Sequence, residues 1–239
     1  MSGNEEPIVI LVEPQLGENI GMCARAMLNC GLTKLRLVNP RDGWPQESAR
    51  ATAADADRVI DDARVFETLD EAIADCHRVF ATTARDRSQS TPVKEAHAAA
   101  EDAKASILNG QVVAVLFGPE ASGLDNEAIA RADTLIRFPT NPEFSSLNLA
   151  QAVLLLGWEW RRADGEMDEI QSSIPVTQEE LNGFLNRLND SLDESGFFLT
   201  EDMKPHTLQM LRTLFTKAHA TPRELKLLHG ALTALSRAK

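Results

Sequence analysis

The chain contains no tyrosine and few aromatic residues of any kind, so stacking on a flat ligand must fall to Phe, Trp, His or Arg. Its longest apolar stretch, around 152–158, is far too short to cross a bilayer. The opening MSGNEEP lacks the apolar core of a secretory signal, so neither a membrane protein nor an exported one is expected. Three cysteines, Cys23, Cys30 and Cys76, are an odd number without metal-ligand spacing. They predict buried thiols in a reducing compartment, and hence a cytoplasmic protein. Five histidines form no HxxxH pair, and no metal is expected. Familiar phosphate cradles are missing: neither GxxxxGK[ST] nor GxGxxG occurs, and Gly17-Glu18-Asn19-Ile20-Gly21 has the wrong spacing. With no GxSxG elbow and no Ser–His or Cys–His pairing, nucleophilic catalysis lacks candidates.

Positive charge is also scarce: 24 Lys/Arg against 36 Asp/Glu give a net charge of −12. That total argues against a polyanionic partner, but the distribution matters more. From Lys204 to the end, seven basic residues face the single Glu224, a net of +6. From Arg78 to Lys94, four basic residues face Asp86, a net of +3, whereas 166–203 sets Arg187 against ten acids. Two local basic stretches fit either a nucleic-acid contact or ordinary solvated helix faces.

What is present is an alternation. Ile8–Val12, Leu35–Val38, Val65–Phe66, Arg78–Thr82, 112–117 (VVAVLF) and 134–138 (TLIRF) read as strands. Between them, Asn19–Cys30, Ser48 to about Ile60, Leu69–Cys76 and about 93–108 read as helices. Strands alternating with helices predict βαβ units, an α/β fold with a mainly parallel sheet. The strands at 112–117 and 134–138 end in loops rich in Gly, Pro, Ser and Glu, where parallel sheets hold their ligands. A helix at about 146–162 follows, with Ser145 and Ser146 placed to cap it. Its apolar residues, Leu147 through Trp160, lie on every side, which predicts burial against the core on one side and a second subunit on the other. Residues 164–176 break the periodicity as a linker. Three helices follow, from Thr177, from about Pro205 and from Thr221, forming a small all-α module over 177–239 after a first domain over 1–163.

Three blocks, ENIGMCARAMLNCG (18–31), LFGPEASGL (116–124) and NPEFSSLNLAQAV (141–153), resemble the three motifs of the SPOUT superfamily of RNA methyltransferases, TrmH-like branch. With LVNP, TTARDR and the C-terminal LRTLFTKAHATPRELKLLHG, the chain is similar over nearly its whole length to the TrmJ-type tRNA 2′-O-methyltransferases. The resemblance implies a C-terminal trefoil knot, which periodicity alone would not suggest. It also implies a homodimer and tRNA as partner, with methylation of a ribose 2′-hydroxyl at nucleotide 32 of the anticodon loop.

The methyl donor implied is S-adenosylmethionine, held by Thr82, Thr83 and Ala84, by Gly118, and by Phe138, Ser145, Ser146 and Leu147. Arg25 is placed at the hydroxyl, with Asn19, Glu120, Ser146 and Asn148 arranging it. If Asn19 sits at the helix start, Asn19 and Arg25 can face one pocket. A guanidinium is a poor base; Arg25 is expected to grip the phosphate beside the target ribose, with that phosphate or a water taking the proton. Candidate phosphate contacts are Arg85 and Arg87 beside a cofactor loop, and Lys204, Arg212, Lys217, Arg223 and Lys226 in the C-terminal module. Ribosomal RNA as substrate, a non-catalytic RNA-binding protein and a small-molecule methylase remain as alternatives.

Overall fold

The computed structural model describes residues 5–84, 91–163, 174–198, 200 and 203–237. The chain order is β1 (Ile8–Val12), α1 (Gly17–Asn29), β2 (Leu35–Val38), α2 (Glu47–Ala53), α3 (Asp57–Asp61), β3 (Arg64–Phe66), α4 (Leu69–Ile73), β4 (Arg78–Thr82), β5 (Val93–Glu95), α5 (Ala96–Leu108), β6 (Val113–Phe117), α6 (Asn126–Ala130), β7 (Thr134–Arg137), α7 (Leu149–Arg162), α8 (Gln178–Ser195), α9 (Met203–Ala218) and α10 (Pro222–Arg237). The strands form one seven-stranded sheet in the order β3-β2-β1-β6-β4-β7-β5, and each pairing is parallel.

Alternate residues of the central strands feed two cores. Val9, Leu11, Val115 and Phe117 face α1, α2, α5 and α7, while Ile10, Ala114 and Leu116 face α4 and α6. Both faces of the sheet are therefore dry, as a parallel sheet flanked by helices requires. The spacing of Gly17 and Gly21, useless for phosphate, serves packing. A Cβ on Gly21 would lie 2.0 Å from the Ala49 carbonyl oxygen, so only glycine lets α1 approach α2 this closely.

Several elements depart from the sequence reading: the helix read over Leu69–Cys76 ends at Ile73, and a short helix, Asn126–Ala130, is additional to those expected. Residues 93–95 form an edge strand against β7, and the helix begins at Ala96. The helix expected over 48–60 is two, broken at Ala54 and Asp55, both at positive φ (46° and 70°). The last helix of the sheet domain starts at Leu149, not 146, so Ser145 and Ser146 do not cap it. The cap is Asn148, whose Oδ1 accepts from Ala150 N at 2.9 Å while Gln151 Oε1 accepts from Asn148 N at 3.0 Å. Asn19 is the third residue of α1 rather than its start. The three cysteines are buried and unbridged.

Helices α8, α9 and α10 pack around Leu181, Phe184 and Leu225. They lie against the sheet domain through α4 and α6. The first turn of α8 donates Gln178 N to Cys76 O and Glu179 N to Ala74 O, and Gln209 Nε2 donates to Asn126 O. Of the expected linker, 164–173 lies outside the described residues.

Candidate active site

The loops at the carboxyl ends of β4, β6 and β7 wall a cavity of about 320 Å³. Thr82, Thr83, Ala84, Gly118, Phe138, Ser145, Ser146 and Leu147 all line it, together with Glu120. Residues as far apart as 82 and 147 in the chain thus share one pocket. Backbone hydrogen bonds set the loops: Thr83 N donates to Ile136 O at 2.9 Å and Gly123 N to Pro119 O at 2.8 Å. Thr82 Oγ1 donates to Leu116 O at 3.0 Å. A Cβ on Gly118 would lie 2.2 Å from Leu124 N and 2.4 Å from Gly123 C, both backbone atoms, so the loop can fold back on itself only over a glycine.

Behind this wall runs a polar chain. Glu120 accepts from Gln15 N at 2.9 Å and from Asn19 Nδ2 at 2.6 Å, using both carboxylate oxygens. Helix α1 has no side-chain cap of its own, since Leu16 stands at that position. The Glu120 carboxylate lies at its amino end, where negative charge suits the helix dipole, bonded to Gln15 N and the Asn19 amide rather than to backbone N–H groups of the helix. Asn148 Nδ2 donates to Asn19 Oδ1 at 3.5 Å, the long limit of such a bond. Asn19 and Asn148 therefore brace Glu120 rather than line the cavity. Burial, with Glu120 nearby, pushes the Cys23 thiol far up, which leaves it inert as a nucleophile.

Arg25 does not join them. Six positions along α1 from the buried Asn19, it is exposed and does not line the cavity, so the two side chains do not face one pocket within a single chain. Large apolar side chains are exposed on the same two packed helices: Met22 on α1, Leu16 just before it, and Leu154, Leu155 and Trp158 on α7.

The expected phosphate contacts are dispersed. Arg85 and Arg87 lie outside the described residues. Lys204 is paired with Asp193 and lies over the Phe198 ring, with Nζ 5.6 Å from the centroid. Arg212 is turned inward beside Arg131, and its Nη1 is enclosed without a hydrogen-bond partner, a position that argues against a phosphate contact. Lys217 is half-buried, while Arg223 and Lys226 are exposed on α10. Sequence reasoning did not single out Phe117, Pro119, Ala121, Ser122, Gly123, Leu124, Thr140, Leu149 and Ala152, which complete the lining; all but Thr140 fall inside the blocks LFGPEASGL and NPEFSSLNLAQAV. Among the described residues no group of His, Cys, Asp and Glu could hold a metal, and no helix is long and apolar enough to span a membrane.

A parallel sheet whose carboxyl-end loops wall a cavity defines an α/β protein with its candidate ligand site at those loops. Residues 6–158 match the SpoU rRNA Methylase family, and the chain belongs to it. Within that family it is similar to TrmJ. The crystal structure of TrmJ from Z. mobilis ZM4 matches with a TM-score of 0.88 and 47% identity, covering 97% of this chain and 99% of that one. The tRNA (cytidine/uridine-2′-O-)-methyltransferase TrmJ of Yersinia pestis is 37% identical, over 96% of this chain and 91% of its own length. The tRNA (cytidine/uridine/adenosine-2′-O-)-methyltransferase TrmJ of Pseudomonas aeruginosa is 36% identical, over 94% and 91%.

Proposed function

We propose that this chain is a tRNA 2′-O-methyltransferase that acts on pyrimidine nucleotides, at position 32 of the anticodon loop, in the cytoplasm. The carrying observation is the convergence of Thr82–Ala84, Gly118–Leu124 and Phe138–Leu147 on one cavity, in a chain similar to TrmJ over nearly its full length. The residues suit S-adenosylmethionine: backbone groups and the hydroxyls of Thr82, Thr83, Ser145 and Ser146 offer neutral hydrogen bonds, beside the apolar walls of Phe138, Leu147 and Leu149. When bound, this cofactor supplies a methyl group on a positively charged sulfur.

A methyl transfer of this kind demands alignment more than charge stabilisation, and alignment alone supplies about 7–11 kcal/mol in well-oriented systems. Glu120, fixed by Gln15 and Asn19, gives the β6 loop that rigidity. Arg25 holds the phosphate beside the target ribose, and that phosphate or a water takes the hydroxyl proton. A second copy seated on the exposed Leu16, Met22, Leu154, Leu155 and Trp158 makes a homodimer and brings Arg25 to a completed pocket. Residues 1–163 form the methyltransferase domain, with the trefoil knot, and 177–239 a tRNA-binding module joined through 164–176. Exposed Arg223 and Lys226 are its best-placed phosphate contacts.

Tritium transfer from labelled S-adenosylmethionine to bulk tRNA and to ribosomal RNA tests this reading. Label in tRNA alone is expected; label in ribosomal RNA alone, or in neither, would overturn it.

A further inference from the structure

Among the described residues, the most exposed large apolar side chain is Phe144, 78% accessible. It stands in the loop Pro139–Ser146, where every other residue is proline or polar. The loop is ordered by its own bonds. Phe144 N donates to Asn141 O at 2.9 Å, Glu143 N to Asn141 Oδ1 at 3.0 Å, and Thr140 Oγ1 to Ser145 O at 3.4 Å. Thr140, Ser145 and Ser146 line the cavity, so Phe144, exposed and outside the lining, sits in the loop that forms its wall. A lone exposed leucine needs no explanation. An exposed aromatic ring carried on a hydrogen-bonded loop of the cavity wall is a different matter.

The chemistry beside that wall requires a flat partner. A ribose hydroxyl brought into the pocket carries its base with it, and a base drawn from its stack in a folded loop loses its neighbours. An aromatic ring restores one stacked face without reading the base edge. The chain has no tyrosine to serve here, and the exposed Phe197 already pairs edge-on with Phe198 at 5.4 Å. We infer that Phe144 is the stacking platform for the base of the target nucleotide or its immediate neighbour. A ring without hydrogen-bonding groups accepts cytosine and uracil alike, so discrimination between them lies elsewhere. The inference rests on the tRNA-methylating reading given above.

The test compares Phe144→Ala, Phe144→Leu and Phe144→Trp with the unaltered protein, measuring kcat and KM for tRNA and, separately, S-adenosylmethionine binding by calorimetry. Stacking predicts that Phe144→Ala and Phe144→Leu raise KM for tRNA roughly ten-fold or more, that Phe144→Trp stays near the unaltered value, and that cofactor affinity does not change. Retention of KM by Phe144→Leu would overturn the platform, because bulk rather than aromaticity would then suffice. Weakened cofactor binding in Phe144→Ala would overturn it too, by making the ring a cofactor wall. If the unaltered protein methylates tRNA and the variants match it, the platform alone falls. If the unaltered protein methylates no tRNA, both readings fall.

Discussion

The Nδ2 of Asn19 donates to Oε1 of Glu120 across 2.6 Å, joining helix α1 to a loop 101 residues further along the chain. That loop walls the cavity, and α1 also carries the exposed Arg25, six positions on. One carboxylate thus ties the cavity loop after β6 to the helix that bears Arg25.

Glu120→Ala should weaken both. It leaves the buried Asn19 amide and the Gln15 N–H without their acceptor, a loss of about 1–3 kcal/mol for an unsatisfied buried group. A lowered thermal midpoint together with at least ten-fold slower methyl transfer is expected. A variant with the same midpoint and unchanged turnover would show that the bond is incidental.

Gly118→Ala should act on cofactor binding. The added methyl meets backbone at 2.2 and 2.4 Å, and backbone cannot swing aside as a side-chain tip can. Calorimetry should show S-adenosylmethionine affinity reduced by about an order of magnitude or more, with the fold retained by circular dichroism.

Arg25→Lys keeps the charge and discards the planar fork. If Arg25 grips a phosphate through two parallel N–H groups, kcat should fall about ten-fold or more while cofactor affinity holds. Full turnover in this variant would exclude a bidentate role.

The exposed apolar face should fail with one charge. Trp158→Glu or Leu155→Glu, both at exposed positions of α7, is expected to shift the protein from dimer to monomer in sedimentation velocity and to abolish methyl transfer. A dimer surviving both changes would place the interface elsewhere.

Two half-buried histidines should give the fold a pH dependence. His77, whose Nδ1 accepts from Val112 N at 3.1 Å, is held below its ordinary 6.5 by burial, against the opposing pull of Glu180 and Asp75. His219 is likewise lowered, first by burial, with Asp133 and Asp102 pulling upward and Arg78 downward. Between the lowered values and 6.5 the unfolded chain takes up protons that the folded chain refuses. The stabilisation is complete above that window and is lost as pH falls through it. Denaturant midpoints should therefore drop on acidification below about pH 6.5, with a shallower slope in His219→Gln.

Much of this architecture is legible in the residues themselves. Strong apolar runs such as Ile8–Val12 and Val113–Phe117 announce a buried parallel sheet, and the cavity lining is concentrated in contiguous motif blocks. Short features are harder. Val93–Glu95 pairs along a sheet edge for three residues, fewer than any periodicity can register, and an Ala-rich helix follows at once. The left-handed break at Ala54 and Asp55 contains no glycine to mark it. Asn148 with Gln151 carried a usable capping signal that the two serines before it obscured. The brace between Asn19 and Glu120 arises only when β1 and β6 lie side by side, and no local pattern encodes that. Arg25 is named by the motif, but its exposed position off the cavity lining is not legible, because the facing of a helix residue depends on how α1 packs.

The most direct measurement exploits the chemistry of the product, since a ribose methylated at its 2′-oxygen cannot assist cleavage of the adjoining phosphodiester by alkali. Purified protein, S-adenosylmethionine and unmodified tRNA transcripts are incubated, hydrolysed in alkali, and the surviving dinucleotides sequenced by mass spectrometry. An alkali-resistant dinucleotide carrying 2′-O-methylated cytidine or uridine from position 32 is the expected product. A methyl group found on a base, at another position, or nowhere would contradict it.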